Sequence, residues 1–85
     1  MNNNTGLDLR QIIKGYRVSH SMTQKNLADS WQVPQRAISR WEQSAQSNPS
    51  IESLLHISSG LNLSIDELIE QTFVNEEEDT SNAKN

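Results

Sequence analysis

Gln35, Arg36 and Arg40 carry the chemistry that this chain advertises most openly. Each side chain ends in a planar group with hydrogen-bonding atoms in fixed geometry. Arg36 and Arg40 are four residues apart, so on a helix they share one face. Ile38 and Trp41 fall on the other side. An apolar face would dock such a helix, and the opposite face would offer paired hydrogen bonds. Base edges in the major groove of DNA accept contacts of this kind, arginine to guanine and glutamine to adenine. Polar residues face out on any helix, so these three alone would be ordinary surface residues. The segment around them decides for DNA contact. Met22 to Gln43 reads as two short helices joined by a tight turn, with the second helix over about 34–43.

Other chemistries find less support. Trp31 and Trp41 fall within the apolar period, which assigns them to the core rather than to an open stacking platform. His20 and His56 are far apart and lack a neighbouring His or spaced carboxylates, so they read as surface residues and no metal is expected. No nucleophile elbow or glycine-rich loop is present, and so small a domain has no second layer to form a substrate pocket, so an enzyme is not expected. No cofactor is expected either.

Eighty-five residues make one small domain with tails, and a partner subunit would help so limited a core. With no cysteine, disulfides and thiolate metal sites are excluded, which fits a reducing cytoplasm. The longest apolar runs are two residues, so no membrane span or signal-peptide core is expected. The net charge is −4, unusual for a DNA binder, but it is unevenly placed. Residues 1–50 hold six cations (Arg10, Lys14, Arg17, Lys25, Arg36 and Arg40) against three acids, a net +3. Residues 51–85 hold eight acids and only Lys84, a net −7. A basic reading end joined to an acidic far end leaves the reading face usable. The run Glu76-Glu77-Glu78-Asp79 reads as a solvated tail.

The elements that must position these residues follow from period and caps. Leu9, Ile12, Ile13 and Tyr16 fall at i, i+3, i+4, i+7, giving a first helix over about 7–18. Thr23 caps a second helix in which Leu27 and Trp31 are partners. Gln32-Val33 forms the turn, and Pro34 suits the first turn of the third helix. Residues 44–49 read as a loop. Ser50 caps a fourth helix with Ile51, Leu54, Leu55 and Leu61 inward, and Asn62 suits its left-handed end. Ser64-Ile65-Asp66-Glu67 is a capping box opening a fifth helix with Leu68 and Ile69 behind it. The result is an all-α, compact five-helix domain with no strand pattern. Its boundaries are a disordered N-terminal arm over 1–6, the domain over 7–74 and an acidic disordered tail over 75–85. Ile69 and Phe73, one turn apart, and Val74 supply a second apolar stripe on the fifth helix. A two-fold partner would cover it, although folding back onto the chain's own domain would do so equally well.

Taken together, Thr23-Gln24, Leu27-Ala28, Val33, Ile38-Ser39-Arg40-Trp41-Glu42, Asn48-Pro49-Ser50 and Ser64-Ile65-Asp66-Glu67-Leu68 resemble the lambda-repressor-like, Cro/C1-type (XRE) helix-turn-helix family. The resemblance covers about residues 9–71. It implies a five-helix fold that binds double-stranded operator DNA, usually as a homodimer, in a cytoplasmic regulator of bacterial or phage type. It further implies that Gln35, Arg36 and Arg40 reach base edges. Gln24 with its neighbour Lys25, and the stretch Gln43, Ser47 and Asn48, would contact phosphates. Arg17 and Glu42 match a pair that forms a salt bridge between the first and third helices in some members. Two departures bear on affinity. Gln32 and Ser44 stand where the family commonly has glycine, and Ala45-Gln46-Ser47 is neutral where the family often carries cations. The phosphate grip would then be weaker, and affinity would lean more on dimerisation or on a second protein. The expected function is a transcriptional regulator, a repressor by resemblance. An antitoxin that also binds a toxin through its C-terminal tail, and an interaction module that has lost DNA binding, are the alternatives.

Overall fold

The computed structural model describes residues 5–75. The order of elements is β1 (Thr5–Leu7), α1 (Arg10–Ser19), α2 (Gln24–Trp31), α3 (Gln35–Trp41), α4 (Ile51–Leu61), α5 (Ile65–Thr72) and β2 (Phe73–Asn75). The five expected helices are all present. Each of the last two begins on a serine whose side chain accepts an N–H one turn ahead, Ser50 from Ser53 and Ser64 from Glu67. Glu67 returns the bond to the Ser64 backbone, which completes the capping box. Thr23 accepts from the Asn26 N–H at the start of α2. Pro34 sits one residue earlier than its sequence suggests, at the N-cap rather than inside α3, where its missing N–H is equally harmless. α3 itself is shorter than the expected 34–43, and Glu42 and Gln43 lie in the turn that closes it.

Leu9, Ile13, Leu27, Ile38, Ile57 and Leu68 are fully buried and come from every helix or its cap. Trp31 and Trp41 are buried beside them, as their place in the period requires. Two inward expectations fail on α4. Ile51 is 76% exposed and Leu55 53% exposed. The helix is rotated so that Leu54, Ile57, Ser58 and Leu61 face the core. That phase satisfies the same 3.6-residue period from a different starting residue.

The termini depart most from expectation. Thr5 and Gly6, expected in a disordered arm, belong to β1, and Asn75, expected in the tail, belongs to β2. The two strands pair antiparallel, with Thr5 opposite Asn75 and Leu7 opposite Phe73. Leu7 also exchanges both backbone hydrogen bonds with Ser47, each 2.8 Å long. β1 is thus held between β2 and the loop that follows α3. The rest of the expected arm and tail, residues 1–4 and 76–85, lies outside the described residues. Among the described residues, no helix is long and apolar enough to cross a membrane.

Gly15 occupies the open face of α1, where an added Cβ would meet nothing within 4 Å. Gly15→Ala is therefore expected to stabilise the protein by about 0.5–1 kcal/mol, through helix propensity and a less disordered unfolded state. Urea unfolding checks this, and a lower midpoint would contradict it.

Candidate nucleic-acid interface

Ala37, Ile38 and Trp41 are buried and fix α3 to the domain. The opposite side carries Gln35, Arg36 and Arg40, all exposed. None of these three side chains makes an ion pair or side-chain hydrogen bond within the described residues, so their planar groups are available. Arg36 and Arg40 also border a cleft of about 410 Å³ between α3 and the start of α4, with Asn48, Ser50 and Ser53 on its far side. Gln43 lies beyond Arg40, and its amide is 3.3 Å from the Ser39 hydroxyl.

The turn before α3 is set by Gln32, whose φ of 61° is left-handed. A side chain there costs roughly 1 kcal/mol relative to glycine. The Gln32 N–H donates to Asp29 O and the Val33 N–H to Ala28 O, which close the end of α2 and hold the turn in place.

Three helices are tied together at one carboxylate. Arg17 on α1 donates from Nε to Glu42 Oε2 at 2.8 Å and from Nη2 to Oε1 at 3.1 Å. Its third donor, Nη1, reaches Met22 O at 3.2 Å. Gln24, at the start of α2, donates from Nε2 to Glu42 Oε1 at 3.2 Å. The Glu42 side chain is only 5% exposed. Burial pushes its carboxyl up, but the bonds from Arg17 and Gln24 and the charges of Arg17 and Lys14 together outweigh this. The carboxyl ends below the ordinary glutamate range. This fork and carboxylate fix the start of α2 against the end of α3. The Gln24–Glu42 bond has no signature in the sequence beyond the two residue types.

The expected phosphate contacts meet different fates. Gln24 keeps one amide N–H and its carbonyl oxygen for an outside partner. Asn48 is exposed at the rim of the cleft. Lys25 is exposed and pairs with Asp29 at 3.3 Å. Ser47 does not fit the role given to it. It is 6% exposed and both its backbone groups are committed to Leu7. Its hydroxyl is enclosed without a partner. Ser47 therefore anchors the loop to β1 and presents no group to a phosphate.

The apolar stripe expected on the last helix is also corrected. α5 ends at Thr72, whose hydroxyl donates to Leu68 O at 2.8 Å. Phe73 and Val74 lie in β2, so Phe73 does not continue the helical row from Ile69. Ile69 is half-buried against its own core, whereas Phe73 is 50% exposed. His56, read as a surface residue, is half-buried with Nδ1 2.8 Å from Trp31 O.

The profile of the helix-turn-helix family matches residues 13–68, from the buried Ile13 of α1 to the buried Leu68 of α5. A crystal structure of SinR, described as the master regulator for biofilm formation and solved in complex with DNA, is similar in fold and sequence. It is 33% identical over 72% of this chain and 97% of that one, with a TM-score of 0.60. No curated protein sequence matches the chain.

Proposed function

The chain belongs to the Cro/C1-type helix-turn-helix family, and on that premise we propose that it is a DNA-binding transcription regulator that reads double-stranded operator DNA with α3. The observation that carries this is the outward face of α3. Gln35, Arg36 and Arg40 stand exposed, and unpaired among the described residues, over a buried Ala37-Ile38-Trp41 seat. Their neighbours Gln24 and Asn48 suit phosphate contact, which fixes the register of the helix without reading sequence. The likeness to a regulator solved in complex with DNA supports the same ligand. The action is repression from two half-sites. A two-fold dimer would place two copies of α3 about 34 Å apart on successive turns of the duplex. The half-exposed Phe73, with Val74 beside it in β2, is the apolar surface offered to that dimer.

Arg36→Ala and Arg40→Ala are each expected to weaken binding to the preferred duplex by about 1–3 kcal/mol and to relax preference at one base position. Selection of duplexes from a random pool, followed by gel-shift titration, measures both quantities. Unchanged affinity and an unchanged selected sequence in both variants would remove the base-reading role.

A further inference from the structure

Six cations lie among the described residues, and three are already committed. Arg10 Nε is 2.9 Å from Asp8 Oδ1, Arg17 is held by Glu42 at 2.8 Å, and Lys25 pairs with Asp29 at 3.3 Å. Lys14, Arg36 and Arg40 form no ion pair within that set. Two of these three project from α3. The third, Lys14, is on α1, four residues after Arg10 and therefore on the same face.

Lys14 lines a groove of about 520 Å³ together with Arg10, Gln11, Gly15, Val18 and Glu42. The groove joins the open face of α1 to the turn that ends α3. Glu42 is part of its lining, and the nearly enclosed carboxylate of that residue also receives Gln24. The charge of Lys14 is among those that lower the Glu42 carboxyl. The wall is smooth where a backbone would approach, because Gly15 has no side chain and its surroundings are empty within 4 Å of a Cβ.

A polyanion passing the end of α3 comes within the field of the nearly enclosed Glu42 carboxylate. A fixed negative charge beside phosphates is unfavourable unless cations offset it. Arg17 supplies one, with its donors spent on Glu42 and Met22. The loop after α3 supplies none, since Ser44-Ala45-Gln46 is neutral. Among the described residues, Lys14 is the cation on that side that no carboxylate pairs, since Arg10 is held by Asp8. A compact ammonium with three rotatable donors grips a phosphate as a point charge. Building on the DNA-binding reading above, we infer that Lys14 binds a backbone phosphate across this groove. DNA contact then continues from α3, past Glu42, onto α1. The contact sets register and affinity and carries no sequence preference.

The test uses the whole chain and a duplex selected from a random pool by the unaltered protein. Lys14→Gln is expected to lower affinity about three- to tenfold and to reduce the slope of log affinity against log salt by about 0.9, the value of one phosphate contact. The selected sequence should not change, and Lys14→Arg should restore the slope. Gly15→Glu places a carboxylate in the groove at a position with room for it. It should weaken binding at least about tenfold, most at low salt. Wild-type slope and affinity in both Lys14→Gln and Gly15→Glu would overturn the assignment. If the unaltered chain selects no duplex at all, the DNA-binding reading fails, and the Lys14 contact fails with it.

Discussion

Gly60→Ala is expected to destabilise the protein by about 2–3 kcal/mol. A Cβ built on Gly60 would fall inside the indole of Trp31, 2.5 Å from Cδ1 and 2.6 Å from Cε2. Real Cβ contacts do not come that close, so the ring must leave its seat. Trp31 is 4% exposed, and its ring lies 5.5 Å from that of Tyr16. Complete loss of a buried aromatic costs about 3–5 kcal/mol, and overpacking alone about 1–3. Alanine returns about 1 kcal/mol of helix propensity. The steric term wins. The same substitution at Gly15 should have the opposite sign, so the pair separates propensity from packing within one protein. Urea unfolding gives the free energies, and near-ultraviolet circular dichroism reports the displaced indole. A Gly60→Ala protein as stable as wild type, with an unchanged aromatic spectrum, would contradict the packing described.

Arg17→Met is expected to cost about 2–3 kcal/mol, and the double variant Arg17→Met/Glu42→Met less than that. The single change leaves a nearly enclosed carboxylate with, among the described residues, only the Gln24 amide as donor. Breaking one side of such a pair costs more than replacing both by apolar groups of similar size. The same pair sets an acid limb of stability. The Glu42 carboxyl lies below its ordinary value in the fold, so its contribution is fully present above about pH 4.3, the unfolded value. It is lost as pH falls through the lowered folded value. In Arg17→Met burial dominates, the carboxyl moves up, and this limb should disappear. A double-mutant cycle across pH 3–7, a range chosen to bracket the unfolded value of about 4.3, measures both effects. Zero coupling energy, or an unchanged acid limb in Arg17→Met, would show that the contact contributes nothing to stability.

The helices and most of their caps were legible because their signals are local. Thr23, Ser50 and Ser64 each precede a helix at the right place, and Asn62 takes the left-handed conformation it suits, with φ of 61°. Side-chain type alone separated the outward Arg36 and Arg40 from the inward Ile38 and Trp41. Long-range features were not legible. Strands of three residues show no alternation, so β1 and β2 left no pattern, and nothing in the loop over 44–49 distinguishes Ser47, bonded to Leu7, from a phosphate-contacting residue. Phe73 stood in helical phase with Ile69, and only the end of α5 at Thr72 breaks that phase. On α4, apolar residues at 51, 54, 55, 57 and 61 satisfy two rotations of the helix, and contact with the rest of the core selects one. Gly60 carried no local signal, because the indole that requires it lies on α2, 29 residues earlier in the chain.

The claim that α3 reads duplex DNA is tested most directly by amide NMR titration with a duplex selected by this protein. Saturable shifts should concentrate at Gln24, over 35–43 and at Asn48, with α1 affected around Lys14 and Gly15, while the exposed Ile51–Leu55 face of α4 stays unshifted. Saturable shifts confined to α4 or α5, or none at α3 under conditions where the duplex is bound, would contradict it.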